Sequence, residues 1–274
     1  DFKADKFIRN IYKKAPESKI IITGCYAQLN PNRLLENKGV DVVVGMEDKF
    51  NVEKYLSNNY NDSNQFVTNI NNVENFSISH TMSERTRSFV KIQDGCDYNC
   101  TYCTIPNARG KSRSSSIDQT IKKIGKIINS GINEIVLSGI NVGDFGNNKE
   151  NFYMLLNEIE KIDKLKRYRI SSIEPNLLNN KIIKLLAQSS KALPHLHIPL
   201  QSGSDKILKH MKRRYNIKYY KNLINYIVKL IPNICIGVDV IVGFPSENSE
   251  DFIKTYDFLE NLPISYLHVF SYSK

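Results

Sequence analysis

Along most of this chain, short apolar runs alternate with stretches of helical period, and a polar, glycine-bearing segment follows nearly every apolar run. The runs Phe89–Gln93, 134–138, 167–171, 195–199, 234–241 and 265–270 predict strands. Between them, Ile117, Ile121, Ile124 and Ile128 share one face of a helix over 117–129. Phe152, Leu155, Leu156, Ile159 and Ile162 do the same over 152–162, and Phe252, Tyr256 and Leu259 over 249–260. Shorter or weaker patterns predict helices over 179–187, from Ser204 to about Arg213, and over 218–230. Ser116 with Gln119 has the form of a capping box, and Gly131 that of a helix stop. Strands alternating with helices in this rhythm pair in parallel. About six units fall short of the eight of a closed barrel. The expected fold class is therefore α/β, a partial parallel (βα)6 barrel.

A smaller pattern precedes it. Ala4, Phe7, Ile8, Ile11 and Tyr12 recur at helical spacing, and Pro16 closes that helix. Lys19–Thr23 and Val40–Val44 read as strands, Asn30-Pro31 as a helix start, and Asp48–Leu56 as a helix. Residues 57–64 are polar and turn-forming, and a weak strand over 66–70 leads through polar chain to Arg85 and Arg87. The domains expected are a small α/β unit over 1–60, a linker over 61–86 and the barrel over 87–274.

Composition narrows the partners. The 274 residues carry 38 Lys and Arg against 28 Asp and Glu, a net charge of +10, which favours an anionic partner such as RNA. No arginine-rich tract or known RNA-binding module accompanies that charge. Apolar content of 41% is ordinary for a globular chain, and no apolar run reaches membrane-spanning length. No signal peptide is visible, and cysteines grouped for metal rather than for disulfides fit a cytoplasmic, reducing compartment.

The chemistry concentrates in one loop. Three of the five cysteines lie in Cys96-Asp-Tyr-Asn-Cys100-Thr-Tyr-Cys103, directly after the first barrel strand. Thiolates select zinc, copper(I) or iron–sulfur clusters. Structural zinc takes four closed ligands, and no fourth Cys or His follows closely. Three thiolates on a four-iron cluster leave one iron open to a ligand. An unusual zinc loop is the competing reading. Ser171, Glu174, Gln201 and Asp239 fall at or near strand ends on the same face, a set suited to a polar cofactor, although turns also favour such residues. His195 and His197 are expected to be structural, only one of them facing inward. Cys235, early in its strand, reads as core. Cys25 reads as a buried thiol or, from its place after a strand, a ligand.

The C-x-x-x-C-x-x-C loop resembles the radical S-adenosylmethionine (SAM) signature, and the chain as a whole resembles the radical SAM methylthiotransferases. Gly24-Cys25-Tyr26-Ala27-Gln28 is similar to the last cysteine motif of that family's N-terminal domain. Residues 138–146, Ile170–Pro175 and His197–Asp205 most resemble the branch that modifies N6-threonylcarbamoyladenosine beside the anticodon of tRNA. Sister branches act on isopentenyladenosine in tRNA or on an aspartate of a ribosomal protein. The resemblance implies a 4Fe–4S cluster on Cys96, Cys100 and Cys103, with SAM on its open iron. Cleavage of SAM would give a radical that takes hydrogen from C2 of the adenine. Sulfur would come from a second 4Fe–4S cluster that includes Cys25, and a second SAM would supply the methyl group. Tyr102 would pack near the SAM adenine, and Asn141, Ser171, Glu174, Gln201 and Arg213 would meet its polar ends. tRNA, an electron donor and a sulfur donor would be the partners. The family's second cluster uses three N-terminal cysteines where this chain has Cys25, and its C-terminal RNA-binding domain has no counterpart here. The expectation is a fragment that cannot complete the reaction alone. A different radical SAM reaction, and a zinc-stabilised RNA-binding module, are the alternatives.

Overall fold

The computed structural model describes residues 2–56, 64–81, 86–146 and 149–273. Contacts divide the chain into two units, Asp1–Asn75 with Thr104–Lys111, and Phe76–Cys103 with Ser112–Lys274. The division falls after Asn75, within the linker expected over 61–86. Of that linker, residues 61–63 and 82–85 lie outside the described residues, as does most of the polar stretch 57–64. The return of 104–111 to the first unit carries no signal in composition.

In the first unit, helix α1 (Phe2–Lys14) turns Ile8 inward. Strand β1 (Ile21–Thr23), the short helices α2 (Cys25–Leu29) and α3 (Pro31–Leu35), and strands β2 (Val42–Val44) and β3 (Gln65–Phe66) follow. The strands pair in parallel in the order β1-β2-β3, with Ile22 opposite Val43 and Val43 opposite Gln65. Ile8, Ala27, Leu34 and Val43 form the core. Pro31 opens α3 as expected, but Asn30 makes no side-chain cap. The helix expected over 48–56 is one 3-10 turn, Val52–Tyr55. Its geometry follows Asp48, whose carboxylate accepts from Lys54 Nζ at 2.6 Å and Tyr55 OH at 2.7 Å and ties the segment into a tight loop. Helix α4 (Ile105–Arg109) completes the unit by packing on α2.

The second unit opens with β4 (Ser79–His80), antiparallel to β5 (Arg87–Lys91). The small hairpin β6 (Gln93–Asp94) and β7 (Arg113–Ser114) flanks the cysteine loop. The expected rhythm then appears: α5 (Ile117–Asn129), β8 (Glu134–Ser138), α6 (Phe152–Glu160), β9 (Arg167–Ile170), α7 (Asn180–Gln188), β10 (His195–His197), α8 (Asp205–His210), α9 (Ile217–Leu230), β11 (Cys235–Val242), α10 (Ser249–Glu260) and β12 (Tyr266–Ser271). Parallel pairing runs β5-β8-β9, then β10-β11-β12, and single parallel bridges Tyr168↔Ala192 and Ser172↔His197 carry the sheet from β9 to β10. Six parallel strands in chain order make the partial barrel.

Alternation sets what each face holds. Val90, Ile135, Leu137, Tyr168, Ile170, Leu196, Ile236, Val238 and Val240 point to the helices and join Ile124, Leu155, Ile182 and Ile224 in one buried core. Each such buried side chain contributes roughly 2 kcal/mol by burial. The other face is polar: Lys91, Arg169, His195, His197 and Asp239 are half-buried. His195 and His197 both lie on it, against the expectation of one inward histidine, because residues two apart in a strand share a face. Both rings stack on Tyr266, with centroids 6.0 and 6.5 Å away. Tyr266 reaches them across Gly237 of β11, where any Cβ would lie inside its ring.

Caps fix the helix entries. Ser116 Oγ accepts from Gln119 N, and Asn248 with Asp251 forms a full capping box on α10. Asp251, 3% exposed, also accepts from Ser204 Oγ at 2.8 Å and Lys206 Nζ at 2.7 Å, joining α10 to the start of α8. The Lys206 hydrogen bond, ahead of that from Ser204, holds this carboxyl at about 2. A depressed carboxyl stabilises the fold fully above the ordinary carboxylate range and loses that contribution as pH falls towards 2. Asp251→Ala is expected to cost about 1–2 kcal/mol at neutral pH, read by urea denaturation, with the gap to wild type closing in acid.

Candidate functional site

The loop after β5 and β6 is built by one buried amide. Gln93, 1% exposed, donates through Nε2 to Gly95 O at 2.8 Å, Ser112 Oγ at 2.9 Å and Asp94 O at 3.2 Å. Its Oε1 accepts from the backbone of Ile140 and Asn141, both at 3.0 Å. One side chain therefore fixes the start of the cysteine loop and the loop after β8. Gly95, with φ +72°, makes the turn that an L side chain resists, and Cys96 follows it. Further along, Cys103 N donates to Cys100 O at 3.1 Å, and Thr101 Oγ1 donates to His210 O at 3.0 Å.

Cys96, Cys100 and Cys103 face one cavity of about 180 Å³, shared with Tyr98, Tyr102, Ile140, Asn141, Ser172, Glu174, Pro199, Gln201, Arg213 and Asp239. The triplet, Tyr102, Asn141, Glu174, Gln201 and Arg213 are thus brought together as the sequence suggests. Ser171 is not among them. The strand ends at Ile170, Ser172 pairs with His197, and Ser172 supplies the cavity hydroxyl instead. Ser171 Oγ is buried elsewhere without a hydrogen-bond partner. Gln93 and Ser172 escape a reading by motif: the first is hidden in an apolar run, the second is one residue from the strand end predicted. A larger groove, about 770 Å³, lies between α8 and α10. It holds neither cysteine nor histidine, so the chemistry belongs to the smaller cavity.

Arg213 anchors the cavity wall. Its side chain is 2% exposed. Nη1 donates to Cys100 Sγ at 3.2 Å and Tyr102 OH at 3.0 Å, Nη2 to Glu174, and Nε to Tyr215 OH at 3.1 Å. The Tyr215 hydroxyl lies 2.9 Å from both Pro199 O and Leu200 O. Gln201, which follows, adopts φ +73°, a left-handed conformation that costs a non-glycine residue on the order of 1 kcal/mol. Strain of that kind persists where surrounding bonds hold it. Here Gln201 N donates to Asp239 O at 2.8 Å and its carbonyl accepts from Ile241 N at 2.9 Å.

The donor set fits an iron–sulfur cluster with an open iron. Burial pushes the Cys96 thiol up to about 11, so iron must displace its proton on binding. Buried Asn141 presents Nδ2 without a partner on the cavity wall, while its Oδ1 accepts from Glu174 N at 3.2 Å. An acceptor on a bound cofactor would satisfy that amide. In the first unit, Cys25 opens α2, and its Sγ lies 3.3 Å from Arg109 Nε on α4.

Residues 90–259 match the Radical SAM superfamily model. The chain belongs to the radical SAM superfamily. Membership in the radical SAM superfamily brings a 4Fe–4S cluster and SAM as the cofactors of the fold. Threonylcarbamoyladenosine tRNA methylthiotransferase MtaB of Bacillus subtilis is 38% identical over 100% of this chain and 62% of its own length. Its namesake in Aquifex aeolicus is 39% identical over 95% of this chain and 65% of its own length. A tRNA-2-methylthio-N(6)-dimethylallyladenosine synthase of Thermodesulfovibrio yellowstonii is 35% identical over 97% of this chain and 62% of its length. The chain thus spans less than two thirds of these curated relatives. Among solved structures, the radical SAM methyltransferase TsrM of Kitasatospora setae superposes with a TM-score of 0.74 at 14% identity, over 97% of this chain and 57% of that one. That likeness is one of fold. No helix among the described residues is long and apolar enough to cross a membrane.

After anaerobic reconstitution, replacing Cys96, Cys100 and Cys103 together by Ala is expected to remove about four irons per chain and the associated charge-transfer absorbance. Unchanged iron would reject the triplet as ligands. Gln93→Ala is expected to cost about 2 kcal/mol or more in urea denaturation and to speed iron loss to a chelator, because several backbone groups lose one partner.

Proposed function

We propose that the protein is a radical SAM tRNA methylthiotransferase that adds a methylthio group to C2 of N6-threonylcarbamoyladenosine. The observation that carries this reading is the similarity of the whole of this chain to 62% of the Bacillus subtilis enzyme of that name, joined to three cysteines on one cavity. Cys96, Cys100 and Cys103 hold the radical SAM cluster, and Cys25 contributes to a second cluster. When bound, the clusters and SAM supply the one-electron chemistry, the sulfur and the methyl group.

The chain's own residues bind and orient. Tyr102 offers an aromatic face to the SAM adenine. Asn141 Nδ2 donates to a cofactor oxygen, and Glu174 and Gln201 meet the remaining polar groups. Arg213 has its guanidinium engaged with Cys100, Tyr102, Glu174 and Tyr215, so it shapes the wall and places positive charge beside a ligating sulfur. Ser172 takes the place first considered for Ser171. The partly closed cavity would limit the access of water to a bound cofactor. The +10 charge suits a tRNA partner, and an electron donor and a sulfur donor complete the set.

The Thermodesulfovibrio yellowstonii relative supports a second reading, with dimethylallyladenosine as the modified base. Mass spectrometry of tRNA nucleosides separates the two. Cells lacking the protein are expected to lose the 2-methylthio group from threonylcarbamoyladenosine while keeping it on dimethylallyladenosine. A copy carrying Cys100→Ala is expected not to restore it. Loss confined to dimethylallyladenosine would establish the second reading, and no loss from either would reject both.

A further inference from the structure

The polar face of the barrel holds a second group of side chains that shares only Asp239 with the cysteine cavity. His197 on β10, Asp239 on β11 and His268 on β12 sit on adjacent strands. Their donor atoms all lie within 4.8 Å of one another. Asp239 Oδ1 is 2.9 Å from His197 Nε2 and 3.2 Å from His268 Nδ1. A tetrahedral zinc-like ion with ligand bonds of about 2.0–2.2 Å needs donors roughly 3.3 Å apart; the two Asp239 spacings lie close to that, and the imidazole pair, within 4.8 Å, closes to it by a turn of the exposed His268 ring. We propose that His197, Asp239 and His268 form a binding site for one divalent transition metal.

The chemistry of the donors selects the class of ion. Two imidazoles and one carboxylate suit zinc, iron(II) or cobalt(II) rather than magnesium or calcium, and three protein ligands leave positions open. Binding needs no charged histidine. In the metal-free state each ring nitrogen facing Asp239 can carry a proton. On binding, that proton moves to the other nitrogen of the ring. For His197 the other nitrogen, Nδ1, already lies 3.0 Å from Ser172 Oγ, which then accepts a hydrogen bond from Nδ1–H. A hydrogen bond of this kind fixes the tautomer and orientation of metal-ligating histidines. For His268, 54% exposed, the other nitrogen can meet water.

The fold holds the rings in place. Tyr266 lies beneath, nearly parallel to His197 at 10° and tilted against His268 with centroids 5.3 Å apart. Gly237 leaves the gap that Tyr266 occupies. The ligands stand on strands rather than loops, which is the rigid placement that metal sites require. Asp239 also lines the cavity of the three cysteines, so the ion would sit at its edge.

Cobalt(II) alone is the probe, added anaerobically to the Cys96→Ala/Cys100→Ala/Cys103→Ala chain so that the triplet cannot compete. The expected result is one cobalt per chain, with visible d–d bands and no thiolate charge-transfer band. His268→Ala, at an exposed position, is expected to weaken binding at least tenfold, and His210→Ala, outside the group, to leave it unchanged. Should the triple variant fail to fold, the cluster-loaded wild-type chain and its His268→Ala form are compared by metal counting. One bound cobalt beyond the iron, lost in the variant, is then expected. No saturable cobalt binding, a thiolate band, or equal affinity in His268→Ala would overturn the proposal and leave a hydrogen-bonded relay in its place.

Discussion

The buried guanidinium of Arg213 is the constraint on which the site depends. It lies between the cysteine loop, the turn after β9 and the strand-end segment after β10, and it touches a residue of each directly or through Tyr215. A buried charge of this kind is tolerable only when its N–H groups are paired, and a carboxylate, two hydroxyls and a thiol pair these. Removing any one partner leaves a charge in a poor solvent, so the partners are coupled. Three of its acceptors, Cys100, Tyr102 and Glu174, line the cavity.

Gln93 serves the opposite end of the loop with a neutral group. Its amide satisfies backbone atoms on two separate loops, so the first cysteine and Asn141 are positioned by one side chain. Together Gln93 and Arg213 hold the cysteine loop at its start and middle.

The barrel was legible because its strands alternate. Ile135 and Leu137, or Ile236, Val238 and Val240, mark one face of a strand whatever their surroundings, and the intervening helices carry apolar stripes of period 3.6. The cysteine triplet was legible from spacing alone. What stayed hidden depends on contacts distant in sequence. The 3-10 turn at Val52–Tyr55 follows a carboxylate four residues earlier, and β4, β6 and β7 are two residues each, too short for any period. Ser172 rather than Ser171 meets the cavity because the bridge to His197 ends the alternation one residue early. Gln93 reads as part of an apolar strand, since nothing local shows that its amide serves two loops. The two inward histidines follow from strand geometry, and Gly237 is the position that gives Tyr266 room to reach both.

The path of the chain through its two units has a consequence for the order of folding. The boundary is crossed after Asn75, again after Cys103, and again after Lys111. Helix α4, with Ala108 1% exposed, belongs to the first unit although it is made after β5. On a ribosome the first unit is therefore unfinished until the cysteine loop has already emerged. The three cysteines also precede Pro199, Gln201, Arg213 and Asp239 in the chain, so the loop is made well before the residues that wall its cavity.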